Sequence, residues 1–193
     1  MVRLFISVEP GKVGSFGVVE ECALPICITS SSALADGLHT LTAKQLDKAG
    51  NESVASAPLN VTIDTSEATP DAPGLATASD SGINNDDITN DTTPTFEGSG
   101  VGAAAKVDVF KDLDGDGVID AGELLGTATA SALGVWSVTP AAMTSGAYAN
   151  IKARVTDAAG NISAASDAFS FTIDAVAPVA PTLLDLATGS DTF

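Results

Sequence analysis

Histidine, tryptophan and tyrosine each occur once in this 193-residue chain, and cysteine only twice. Lysine and arginine number 8 against 25 aspartates and glutamates, a formal net charge of −17. Each scarcity excludes something. A single histidine, His39, with no partnered nucleophile is little to build acid–base or covalent chemistry on, and no G-x-S-x-G elbow surrounds any serine. A chain this acidic is repelled by nucleic acid and by anionic membrane surfaces, whereas divalent cations suit it. No run approaches the ~20 apolar residues of a membrane span, so no membrane insertion is expected. The apolar stretch at residues 4–8 is too short for the core of a signal peptide and runs into Glu9-Pro10-Gly11-Lys12; an export signal is expected elsewhere. Cys22 and Cys27 have neither a second pair nor a histidine nearby, which favours a buried or reactive thiol pair over a zinc half-site. The cysteine-free remainder fits an exported protein without stabilising disulfides, for which a metal is an alternative source of stability.

What is present reads as sheet. Hydrophobic residues make up 45% of the chain, enough to exclude wholesale disorder, but alanine and valine dominate them, so the core should be thin. Thr, Val, Ser, Gly and Pro recur throughout, as in all-β chains with many turns. Strands are predicted over residues 74–79, 94–98, 105–110, 124–130, 134–139, 148–156 and 168–173. Period-two alternation is cleanest at Phe169, Phe171 and Ile173. No stretch sustains a helical period. About seven short strands in about 100 residues predict an immunoglobulin-like β-sandwich with Greek-key connections.

The chain also repeats itself. Residues 43–64 lie over residues 153–174 without a gap, 110 positions apart, and 11 of the 22 aligned positions are identical. A period this long is a whole small domain and not a solenoid rung. The expected organisation is an atypical N-terminal segment (1–27), read either as a divergent cap or as a segment not native to the array, followed by the C-terminal part of one repeat (28–65). A complete repeat (66–175) comes next, and then a linker with the first strand of a further repeat (176–193).

The sharpest local motif spans Asp112-Leu113-Asp114-Gly115-Asp116-Gly117-Val118-Ile119-Asp120-Ala121-Gly122-Glu123, which satisfies D-x-[DN]-x-[DN]-G-x5-E at every fixed position. Calcium requires six to eight oxygen ligands. Asp112, Asp114 and Asp116 would each offer a carboxylate oxygen and Val118 its carbonyl. Asp120 would act directly or through water, and Glu123 would be bidentate. The competing reading is a solvated acidic turn between two strands. The flanks read as β, so this would be the loop without its helix pair, and sensor-type opening is not expected. A second acidic stretch, residues 80–91, matches no strict pattern and reads equally as a polar turn or a calcium site. A third candidate is composite. Asp64 ends a last strand, and Asp157 and Asn161 sit in a D-x-A-G-N turn, so the three would share an ion between consecutive units. The alternative for that turn is an Asx-turn with Gly160 at positive φ.

These features together resemble the bacterial Ig-like repeats of large, type-I-secreted, calcium-dependent surface adhesins. The matching stretches are Asp157-Ala158-Ala159-Gly160-Asn161, Thr172-Ile173-Asp174 before a Pro-rich linker, Asn90-Asp91-Thr92-Thr93-Pro94-Thr95-Phe96, Gly126-Thr127-Ala128, and Gly134-Val135-Trp136-Ser137-Val138. The resemblance implies an extracellular or cell-surface rod of repeats, stiffened by Ca²⁺ at linkers, that supports adhesion or biofilm formation without catalysis. Its partners would be neighbouring repeats of the same chain, with a surface, glycan or protein target reached through other modules. The alternative reading is a carbohydrate-binding or accessory module of a secreted enzyme, with Trp136 stacking on a sugar. Its counter-reading is a core Trp on a central strand.

Overall fold

Alternation at Phe169, Phe171 and Ile173 does produce a strand, and its inward face is a fixed point of the architecture. A computed structural model describes residues 3–8, 16–18, 28–30 and 33–182 of the chain. The chain divides into two compact units, Met1–Ser66 and Glu67–Phe193. Cys22, Cys27 and the strand expected after the Pro-rich linker (183–193) lie outside the described residues.

The second unit is an immunoglobulin-like sandwich. Its strands are β6 (Gly74–Leu75), β7 (Ile88–Thr89), β8 (Phe96–Gly98), β9 (Lys106–Lys111), β10 (Leu124–Thr129), β11 (Trp136–Val138), β12 (Gly146–Thr156) and β13 (Phe169–Ile173). One sheet runs β10-β9-β12-β13-β7 and the other β11-β8-β6. The chain crosses between the sheets at every connection except β9–β10 and β12–β13, which stay within one sheet as antiparallel neighbours. All described pairings are antiparallel except β13 with β7, which is parallel. Strand β7 was not among the predicted strands. It is only two residues long, too short to show a period, and its backbone pairing defines it.

The core lies between the two sheets. Phe96, Val107, Val109, Trp136, Val138, Ile151, Ala153, Val155, Phe171 and Ile173 are all buried in it. With so many small side chains, the aromatic rings carry much of the volume. Phe96 meets Phe171 edge-on at 5.3 Å, and Tyr148 stacks on the same Phe171 at 5.2 Å. Trp136 lies over Gly98 on the neighbouring strand and is 3% exposed. It is a core residue and presents no face to a sugar.

The first unit contains β1 (Arg3–Val8), β2 (Phe16–Val18), β3 (Ile28–Ser30), β4 (Gly37–Leu46) and β5 (Leu59–Ile63). Strands β1 and β2 fall in the 1–27 segment, where no strand pattern is expected. Apolar residues follow one another in Leu4-Phe5-Ile6 without alternating, and such a short run has no diagnostic period. The sheet order β1-β4-β5 repeats the order β9-β12-β13 of the second unit.

The repeated residues explain themselves as stitching. Ser53 and Ser56 accept backbone N–H bonds from Gln45 (2.9 Å) and Ala43 (3.0 Å) through their hydroxyls. Ser163 and Ser166 do the same for Val155 (3.0 Å) and Ala153 (2.9 Å). These serines satisfy strand amides that no neighbouring strand reaches. The lone histidine has a counterpart too. His39 Nε2 donates to the Ala35 carbonyl at 2.7 Å, and Tyr148 Oη donates to the Thr144 carbonyl at 2.8 Å. Both bonds run four residues back, from equivalent positions in β4 and β12, in the manner of a tyrosine corner. His39 is thus a corner residue, bonded to backbone.

A methyl group at Gly98 would stand 2.4 Å from the Trp136 ring, whereas one at Gly74 would meet nothing within 4 Å. Gly98→Ala is therefore expected to cost about 1–3 kcal/mol through overpacking, and Gly74→Ala less than about 0.5 kcal/mol. Thermal melts of the two variants check this; equal melting temperatures would show that the Trp136 seat is not tight.

Candidate metal centre

The twelve-residue acidic motif forms the β9–β10 connection, flanked by strands on both sides. Its glycines have the geometry that the motif requires: Gly115, Gly117 and Gly122 have φ of +83°, +74° and +92°, where a side chain would be strained. The turns they permit bring one carboxylate oxygen each of Asp112, Asp114 and Asp116 within 4.8 Å of one another. Asp112 is buried at the base of this cluster, and the other two are exposed.

Each carboxylate also holds backbone. Asp112 Oδ1 accepts from the Gly115 amide (2.8 Å) and Oδ2 from the Gly117 amide (3.2 Å). Asp114 accepts from the Asp116 amide (3.2 Å), and Asp116 from the Val118 amide (2.7 Å). Glu123, 3% exposed, accepts from Leu113 through Oε1 (2.8 Å) and from Asp120 through Oε2 (2.9 Å), closing the ring of the loop. Neither Asp120 nor Glu123 belongs to the three-carboxylate cluster. Each Glu123 oxygen retains a second lone pair beyond its amide bond. Three gathered hard oxygens on a glycine-shaped turn are the donor type that calcium takes and part of the six to eight it requires, so the residues present fit the chemistry of that ion.

A cation reaches the same carboxylate. Lys152 Nζ, from β12, lies 2.8 Å from Asp112 Oδ2. This bond, followed by those from Gly115 and Gly117, holds the Asp112 carboxyl below the usual aspartate range, against the opposing effect of burial. Sequence reading missed Lys152 because it lies 40 residues away and belongs to no motif.

The residues of the composite candidate, Asp64, Asp157 and Asn161, are held by local hydrogen bonds. Asp157 Oδ1 accepts from the Asn161 amide (2.8 Å) and Oδ2 from the Asn161 side-chain Nδ2 (2.7 Å), with Gly160 at φ +95°. Asp47 and Asn51 reproduce both bonds in the first unit, at 2.8 Å each. The Asn161 side chain is the leading reason that the Asp157 carboxyl sits below its ordinary range. This turn is an Asx-turn that fixes the chain between two strands. Asp64 follows β5, where its Oδ1 accepts from the Ser66 amide at 3.5 Å. In the second acidic stretch, Asp80 accepts from the Asn85 amide and Asp91 from the Thr93 amide (2.8 Å). Among the described residues its carboxylates do not gather as those of Asp112, Asp114 and Asp116 do.

A family model described as bacterial Ig-like domain matches residues 1–65 and 67–175. Among solved structures, the chain is similar to one titled "Crystal structure of tetra-tandem repeat in extending region of large adhesion protein". The two share 20% identity with a TM-score of 0.37, over 90% of this chain and 42% of that one. This chain thus covers less than half of that structure's length. No curated protein matches.

The depressed carboxyls fix the sign of a pH effect. Asp47, Asp91, Asp112 and Asp157 all have folded values below their ordinary one. Their stabilisation is therefore full above about pH 4, and is lost as pH falls through the depressed folded values. Melting temperature should drop below about pH 4, and Asn161→Ala, which removes the main bond to Asp157, should flatten that drop. A pH series of melts on both proteins checks it; parallel curves would contradict the assignment to this turn.

Proposed function

The chain belongs to the bacterial Ig-like domain family, and on that premise we propose that it is an extender segment of a bacterial surface adhesin, braced by calcium at its β9–β10 loop. The observation that carries the calcium reading is the convergence of Asp112, Asp114 and Asp116 within 4.8 Å on a loop with the full twelve-residue pattern. Five carboxylates in twelve residues repel one another, and a divalent cation offsets that repulsion more effectively than dilute monovalent salt. Asp112, Asp114 and Asp116 would hold the ion, with the Val118 carbonyl, Asp120 and Glu123 completing its oxygen shell. The bound ion would supply neutralising charge and pin the β9–β10 edge.

What the residues are used for supports the extender role. The repeated motif is occupied with turns and strand edges, His39 with a backbone corner, and Trp136 with the core. His39 and Trp136, the residues that catalysis or sugar stacking would use, are thus engaged in holding the fold. A rod of such units, exported to the cell surface, would present an adhesive module elsewhere in the full protein to its target and so support adhesion or biofilm formation.

Calcium that binds the folded state alone stabilises it by about 2.7 kcal/mol at a hundred-fold excess over Kd. The full chain is therefore expected to melt at a higher temperature in millimolar calcium than in EDTA, and Asp114→Ala/Asp116→Ala should abolish that difference. A calcium-independent melt would leave the loop as a solvated turn on a metal-independent spacer.

A further inference from the structure

Asp112 is the anomaly of the acidic loop: its side chain has no exposed surface, whereas Lys152 beside it is 19% exposed. A buried carboxylate needs both donors and an opposite charge. The glycine amides provide donors, and Lys152 provides the charge.

The backbone around Lys152 is shaped to this end. Strand β12 shifts register between Tyr148 and Ile151, a β-bulge, with Asn150 left-handed at φ +59°. The Asn150 carbonyl accepts the Asp112 amide at 2.9 Å. Beyond the bulge, Lys152 pairs with Phe110, which places its side chain at the end of β9 where Asp112 begins the loop. The other repeat provides an internal control. Its β4 pairs with β5 from Gly37↔Ile63 to Leu41↔Leu59 with no register shift. Thr42 stands where Lys152 stands, 110 positions earlier. Nor does the first unit's sequence contain the twelve-residue pattern. Bulge, lysine and acidic loop thus occur together in one repeat and are all missing from the other.

We infer that Lys152 is a built-in counter-cation of the loop: it supplies part of the charge that calcium would bring, holds the loop in shape without the ion, and thereby weakens and sets the loop's calcium affinity. The part concerning affinity rests on the calcium reading above; the part concerning ion-free shape does not. A fixed ammonium on a ligand carboxylate repels an incoming divalent ion and has already neutralised one of the charges that attract it.

The test uses the full chain as wild type, Lys152→Met and Lys152→Met/Asp112→Asn. In EDTA, Lys152→Met is expected to melt below wild type because Asp112 is left buried and uncompensated. The double variant removes both charges and keeps the Gly115 bond through Asn Oδ1 but loses the Gly117 bond, so it should recover part of the loss, and it keeps the test valid if the single variant does not fold. In saturating calcium the gap between Lys152→Met and wild type should narrow, and calorimetric titration should show several-fold tighter calcium binding by Lys152→Met. Equal melting of wild type and Lys152→Met in EDTA would overturn the inference, as would equal or weaker calcium binding by the variant. If neither protein takes up calcium, the affinity claim falls together with the calcium reading. The EDTA melts then show separately whether Lys152 holds the loop.

Discussion

The β9–β10 edge of this protein depends on the burial of one carboxylate. Asp112 directly follows β9 with no exposed side-chain surface, at the start of a loop that adds four more carboxylates. A charge in that position is tolerated only with a full set of donors. Two glycine amides, a lysine from β12 and a bulge that presents the Asn150 carbonyl all converge there. The same geometry brings one carboxylate oxygen each of Asp112, Asp114 and Asp116 within 4.8 Å of one another.

Elsewhere the fold solves a different problem, that of building a sandwich from small side chains. The core has few aromatics, so less is gained per residue from burial than in a Phe- or Leu-rich domain. Hydrogen bonds from side chains to backbone fill the gap. Serine hydroxyls close the free amides of β4 and β12, Asx-turns lock the connection that follows, and His39 or Tyr148 ties down the corner before it. Nearly all of this depends on residues close in sequence, and the same bonds recur in both units.

Much of this was legible in the sequence. The alternation at residues 169–173, the 110-residue repeat and the acidic loop all announced themselves, because each is a local pattern with a fixed period or spacing. What stayed hidden is non-local or too short to have a period. Strand β7 is defined by a parallel backbone pairing with β13. The bulge at Asn150 becomes visible only when Gly37 and Gly146 prove to be equivalent, one residue out of step with the 110-residue offset. His39 and Tyr148 share a role without sharing a residue type. Lys152 is a lysine on a strand until the register of β12 with β9 brings it to Asp112.

The functional account turns on whether a cation enters the β9–β10 loop. The most direct measurement is a calcium titration of the ¹⁵N-labelled full chain, followed amide by amide by NMR. The account predicts saturable shifts concentrated at residues 112–123, with Gly115 and Gly117 among the largest, while amides of the core strands β8 and β11 barely move. Shifts scattered over the acidic surface without saturation, or none within the loop, would contradict it.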